Sequence, residues 1–351
     1  MWKHSRLLEL LKLEHPIIQA GMAGGVTTPA LVATVSNAGA LGTLGAGYMT
    51  PEAMKEAIEE IQTLTNRPFA VNVFVPEYPK ATEREMKHAN ELLNPFRDEL
   101  GLAEEPSPEI DKSLFENQIE VIKELNVPIV SFTFGLPDQE VIQDLKGEGI
   151  ILIGTATSVE EAIVNEKSGM DAVVAQGSEA GGHRGTFLAT NEGVGTMSLI
   201  PQVADAVKIP VIAAGGIMDG RGVCASMVLG ADGAQLGTAF VTCDESGANP
   251  HHKEAIVHTK ETETVLTSSF SGKPARGIRN TFIDRMEGHE HELLAYPLQN
   301  ALTKGIRKEA AKQHNPEFMS LWSGQSPRLS RQESASKIIM SIVAQAKRIN
   351  S

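Results

Sequence analysis

Residues 210–238 read PVIAAGGIMDGRGVCASMVLGADGAQLGT, and their pattern sets the fold. Residues 210–214 are a short apolar run, too brief for a helix, ended by Gly215-Gly216. Residues 222–229 carry small and apolar side chains and stop at Gly230, as a helix does. A second apolar run, 233–236, ends in Gly237-Thr238. Two buried strands joined through a helix form a parallel crossover unit, because parallel strands cannot be joined by a tight turn.

Working backwards, the alternation recurs. Apolar runs at 17–20, 41–44, 69–75, 129–134, 150–154 and 172–175 predict six further strands. Helical segments beginning near residues 28, 51, 114, 138 and 158 lie between them. In the second, Met54, Ala57, Ile58, Ile61 and Leu64 share one face and Lys55, Glu56, Glu59 and Glu60 the other, with Pro51 in the first turn. Ser158 and Glu161 have the spacing of a capping box. Eight strands with helices between them predict an α/β fold, a (β/α)₈ TIM barrel, with a doubly wound sheet as the competitor.

A barrel takes roughly 250 residues, so a chain of 351 leaves room for an appendage. The barrel is expected at 1–256. A C-terminal extension, 257–351, is expected to be mainly helical and to pack near the barrel mouth, with helices at 293–312 and 335–348 and loops at 268–273 and 323–330. A polar insertion at 76–108 shows scattered helix signals and no evident role.

Composition narrows the function. A net charge of −13 repels phosphate backbones and anionic bilayers, so neither nucleic acid nor membrane is an expected partner. Only Cys224 and Cys243 occur, no signal peptide is evident and no apolar run is long enough to span a bilayer. A cytoplasmic setting is expected, and self-association is left open.

In a parallel barrel the loops after the strands share one end, and that end holds the site. Those loops here are 21–25, 176–185, 215–221 and 237–238, and they hold the unusual glycine clusters. A phosphate needs backbone N–H groups converging on it with no side chain in the way. Gly215, Gly216, Gly237 and Thr238 follow adjacent strands, and Thr238 adds a hydroxyl. Tight helix–strand packing would also select glycine there. Asn72 and Gln176 are amides on apolar strands; they suit a polar heterocycle such as a flavin ring, or partners in the core. His183, between Gly181-Gly182 and Arg184-Gly185, is the candidate acid, base or hydrogen-bond donor. Glu179 and Arg184 could order its loop as an ion pair. Met22, in the first of these loops, is a candidate cofactor contact. Gly45-Ala46-Gly47 continues into Thr50-Pro51 and does not make a dinucleotide fingerprint. His251-His252 and His289-Glu290-His291 lack a third ligand at a useful spacing, so no metal is expected. Nothing near either cysteine would activate a thiol.

Five ordered segments, 19–25, 69–74, 176–185, 213–222 and 235–240, with an echo at 321–325, resemble the nitronate monooxygenases, once called 2-nitropropane dioxygenases. The resemblance implies a barrel holding non-covalent FMN through Asn72, Gln176, Gly181, Gly216 and the run Gln235, Leu236, Gly237 and Thr238. It implies His183 as the catalytic residue, and oxidation of alkyl nitronates by O₂ to carbonyl compounds and nitrite, a detoxification. The small anionic nitronate and O₂ are the implied partners. In that chemistry His183 would hydrogen-bond the nitro oxygens or accept a carbon-bound proton. Enoyl-acyl-carrier-protein reductases and quinone reductases, which consume NADH or NADPH, share related segments and are the alternative. A non-catalytic flavin or phosphate binder is the alternative of another class.

Overall fold

The computed structural model describes residues 5–103, 106–108, 110–188 and 193–349. Its strands are β1 (Ile17–Gln19), β2 (Gly42–Gly45), β3 (Phe69–Phe74), β4 (Ile129–Thr133), β5 (Ile151–Ala156), β6 (Ala172–Gln176), β7 (Gly182–His183), β8 (Val211–Ala214), β9 (Gly233–Leu236), β10 (Thr264–Thr267) and β11 (Ala275–Ile278). Eight of them pair in parallel in the order β1-β9-β8-β6-β5-β4-β3-β2. A parallel bridge between Ile18 and Leu41 joins the two ends, with the Gln19 and Leu41 amides donating to the Leu41 and Ile17 carbonyls at 2.9 Å. The result is a (β/α)₈ TIM barrel.

The barrel strands are buried along nearly their whole length, because side chains fill the inside and helices cover the outside. Ile18, Leu41, Ala70, Ile129, Ile153, Val174 and Ile212 pack together, and Leu7 and Leu11 of helix Arg6–Leu11 pack with them. Arg6 holds that helix in place through a two-pronged contact with Asp232, at 2.9 and 2.7 Å. At the other end the register sets Gln176 beside Ala214 and Ala214 beside Gln235. Three strands therefore release their loops at one level.

Helix Ala335–Ile349 joins the outer layer. Its Ile338, Ile339, Ile342 and Val343 pack with Leu31, Val35 and Val223. Part of the 76–108 insertion is helix Glu83–Leu100, started by a complete capping box of Thr82 and Glu85. Its Leu93, Phe96 and Leu100 share a core with Phe282, Leu302, Ile306 and Phe318, so the insertion supports the C-terminal region.

Two details differ from the sequence reading. The extension expected to be mainly helical, with a loop at 268–273, also holds strands on either side of that loop: β10 and β11 form an antiparallel hairpin, and β11 pairs with β7 through Ala275–His183 and Arg276–Gly182. Strands of four residues, and a β11–β7 pairing that spans 92 positions (275 − 183), leave no periodic signal. Ser158 does cap its helix, accepting from the Glu161 amide at 3.2 Å. The Glu161 carboxylate, however, is buried and accepts from Thr186 Oγ1 and the Phe187 and Leu188 amides at 2.7–2.9 Å. It tethers the loop that follows His183 instead of closing a capping box. Among the described residues no helix is long and apolar enough to cross a membrane.

Candidate active site

A cavity lies at the C-terminal ends of β6, β8 and β9. It is lined by Ala20, Gln176, Ala180, Gly181, Ala214, Gly215, Gly216, Ile217, Met218, Gln235, Gly237, Thr238, Gly324 and Ser326. Gly215 and Gly216 adopt φ of 113° and 70°, a region costly for residues with a Cβ. A Cβ on Gly181 would sit 2.5 Å from the Gly324 amide nitrogen, so glycine lets these two loops touch. The Gly324 amide donates to Thr238 Oγ1 at 3.0 Å, tying segment 321–326 across the loop after β9. Glu179 fastens the other side, accepting from the Thr196 amide and hydroxyl at 2.6–2.9 Å. A Cβ on Gly237 would meet only Ala20 and Met22, at 3.8 and 3.9 Å, so it would occupy cavity space without striking backbone.

His183 stands beside this cavity on β7. Gln176 holds its strand, donating to the His183 carbonyl at 3.1 Å and accepting from the Gly185 amide at 2.8 Å. The His183 ring is part-exposed among Phe134, Tyr296 and Trp322, with ring centroids at 5.7, 6.0 and 5.5 Å. Its Nε2 lies 2.8 Å from Ser271 Oγ. That hydroxyl donates to the Lys273 carbonyl at 3.0 Å, so it accepts from His183 and Nε2 carries the proton. Nδ1 is left with its lone pair. Burial, then the charges of Arg307 and Lys273, push the imidazole down to about 3, so it is neutral near pH 7. Tyr48 stands close to Tyr296. It keeps 41% of its surface accessible although protein crowds it and burial pushes its phenol up, as expected on the wall of a cleft.

The nitronate monooxygenase family model matches residues 4–345. The chain belongs to that family. It is 52% identical over 352 aligned positions to a probable nitronate monooxygenase of Staphylococcus haemolyticus, covering 99% of this chain and 98% of the relative. It is 54% identical to one from Staphylococcus saprophyticus, covering 98% of each. Among solved structures it is similar to nitroalkane oxidase from Streptomyces ansochromogenes, at TM-score 0.92 and 40% identity over 98% of this chain and 99% of that one. It is also similar to FabK from Thermotoga maritima, at TM-score 0.79 and 33% identity over 99% and 97% of the two chains. Like the relatives named for it, this nitronate monooxygenase family member is an oxidoreductase.

Of the residues singled out in the sequence, Gln176, Gly181, Gly215, Gly216, Gln235, Gly237 and Thr238 line the cavity. Leu236 is fully buried in the barrel wall and offers only backbone. Met22 flanks Gly237. Asn72 lies across the barrel mouth on β3 and donates to Ser131 Oγ at 2.9 Å and Thr133 Oγ1 at 3.1 Å. Glu179 and Arg184 do not pair. Arg184 donates to the Gly177 carbonyl at 2.7 Å while Glu179 holds Thr196, so each orders the loop separately. His251 meets His314 at 2.9 Å, His252 the Trp322 carbonyl at 2.9 Å, and His289 Glu292 at 2.7 Å. Among the described residues no three metal-binding groups converge. Burial pushes the Cys243 thiol up to about 12, so it is inert. A broader groove beside the site carries Arg221, Arg328 and Arg331, which are turned to Asp219, Glu261 and Ser341.

Sequence reasoning gave no role to Ser271, Lys273, Tyr296, Arg307, Tyr48 or Ser326, and none to Trp322 and Gly324 beyond the echo at 321–325. The echo was the one usable signal; the rest reach the site only through folding.

Proposed function

We propose that this chain is an FMN-dependent nitronate monooxygenase that oxidises alkyl nitronates with O₂ to a carbonyl compound and nitrite. The observation carrying this reading is the glycine-lined cavity opening beside a neutral histidine. Gly215, Gly216, Gly237 and Thr238 would hold the phosphate with backbone and hydroxyl donors. Gly181 and Gly324 would close over it, and Gln176, Gln235 and Asn72 would supply amides at the ring's level. A flavin bound there would supply the redox chemistry that couples nitronate oxidation to reduction of O₂.

His183 is positioned as a base. With Nε2–H committed to Ser271, Nδ1 can take a carbon-bound proton from a neutral nitroalkane. The C–H bond breaks, an N–H bond forms, and the negative charge moves to the nitro oxygens. A substrate already in the nitronate form does not need that step. Lys273 is paired to Glu77 at the cleft edge, and Phe134 and Trp322 pack against the His183 ring, with centroids at 5.7 and 5.5 Å.

The test is a spectrum of the purified protein, followed by mixing with ethylnitronate in air. Flavin absorbance and stoichiometric nitrite are expected. A colourless protein that refuses added FMN overturns the proposal. Rapid anaerobic bleaching by NADH or NADPH would assign a nicotinamide-dependent reductase instead.

A further inference from the structure

Segment 321–326 belongs to both halves of the site. Its Trp322 ring lies 5.5 Å from that of His183. Further along, Gly324 and Ser326 line the glycine cavity. One edge of the segment is held by β11: the Ile278 amide donates to the Leu321 carbonyl at 2.9 Å, and the Ser323 amide donates to the Arg276 carbonyl at 3.3 Å. Gly277 opposite Trp322 has no side chain to displace the indole, because a Cβ there would sit 2.9 Å from the ring. In this antiparallel register the Trp322 carbonyl faces away from β11. It accepts from His252 Nε2 at 2.9 Å.

His252 is buried on helix Pro250–His258, whose start Asn249 caps by accepting from the His251 amide at 2.9 Å. A carbonyl can only accept, so His252 Nε2 carries the proton. The peptide plane between Trp322 and Ser323 is therefore clamped on both sides, its carbonyl by His252 and its amide by Arg276. The next amide along, that of Gly324, donates to Thr238 Oγ1 at 3.0 Å and fills a lone pair of that hydroxyl. The hydroxyl proton has no acceptor among the described residues and is left for a ligand in the cavity.

We propose that His252 is a positioning residue for the site: its bond to the Trp322 carbonyl sets the indole against His183 and the Gly324 amide on Thr238, and so controls how tightly the cofactor is held. That the cofactor is FMN rests on the functional reading above. What counts is one donor at the Nε2 position, not the bulk of the ring. Glutamine can place an amide N–H at that position. Asparagine, one carbon shorter, reaches only the Nδ1 position, and leucine fills the volume with no donor.

The experiment compares full-length H252Q, H252N and H252L with the wild type. In H252L and H252N the FMN Kd should rise roughly 10-fold, with H252Q within about 3-fold of the wild type. A second reading needs no flavin. In a W2F background Trp322 is the sole tryptophan. Its quenching by acrylamide should rise at least about 2-fold in H252L and H252N and stay near wild type in H252Q. Wild-type affinity and quenching in H252L and H252N would overturn the proposal. So would equal changes in H252Q and H252N, since packing alone would then explain them. If H252L does not fold, H252N against H252Q gives the decision. If the wild type binds no FMN, the flavin reading fails while the quenching of Trp322 still decides the role of His252.

Discussion

The two halves of the site are built in opposite ways. The cavity beside β6, β8 and β9 is made of backbone: glycines remove side chains, and consecutive loops of one barrel end supply the amides. The cleft around His183 is made of side chains drawn from separated stretches, among them Tyr48, Phe134, Ser271, Tyr296 and Trp322. Backbone binds any phosphate-bearing ligand of the right shape. Side chains select charge, proton state and geometry, and so decide the chemistry. A barrel can keep the first half and change its reaction by replacing the second.

The sharpest way to break this division is at His183. In H183N, kcat on nitroethane should fall by about 10²–10⁴, while ethylnitronate turnover changes much less and flavin is retained. Equal turnover of both substrates by wild type and variant would remove the imidazole from the mechanism. The converse variant attacks the other half. In G237A the new Cβ enters the cavity, meeting only Ala20 and Met22 at 3.8 and 3.9 Å, so FMN affinity should drop roughly 10-fold with little change in the thermal midpoint. Turnover per bound flavin should stay near wild type. FMN titration by fluorescence quenching reads this, and an unchanged Kd would mean the phosphate lies elsewhere.

The smallest expected effect is on stability. His183 and His252 are both held below the ordinary histidine value, chiefly by burial. The unfolded chain then binds more protons than the native one below about pH 6.5. Stability should therefore be complete above that pH and fall as the solution is acidified toward 3. Melting curves at pH 7.5 and 5 should separate for the wild type and converge partly in H183N. An identical pH slope in the two would mean that burial does not keep His183 neutral.

Legibility followed the same division. The barrel was readable because each strand is a local run of apolar residues and each crossover is bounded by its own glycine. The cavity was readable because Gly215-Gly216 and Gly237-Thr238 follow adjacent strands, and a barrel places such loops together. The hairpin of β10 and β11, the inward turn of Glu161 and the support of the mouth by helix Glu83–Leu100 were not. The hairpin strands are only four residues long and β11 pairs onward to β7 far back in the chain, and no spacing rule links residue 161 to 187 or 93 to 302.

By itself, then, the sequence determined the repeating strand–helix period, the end of the barrel at which glycine bares the backbone, and the histidine beside it. Those features are short-range, and each is complete within about one crossover unit. Only the tertiary structure decided which nitrogen of His183 carries its proton and that the imidazole is neutral. Burial and proximity between distant segments set proton states, and a proton state belongs to no residue until the chain has folded around it.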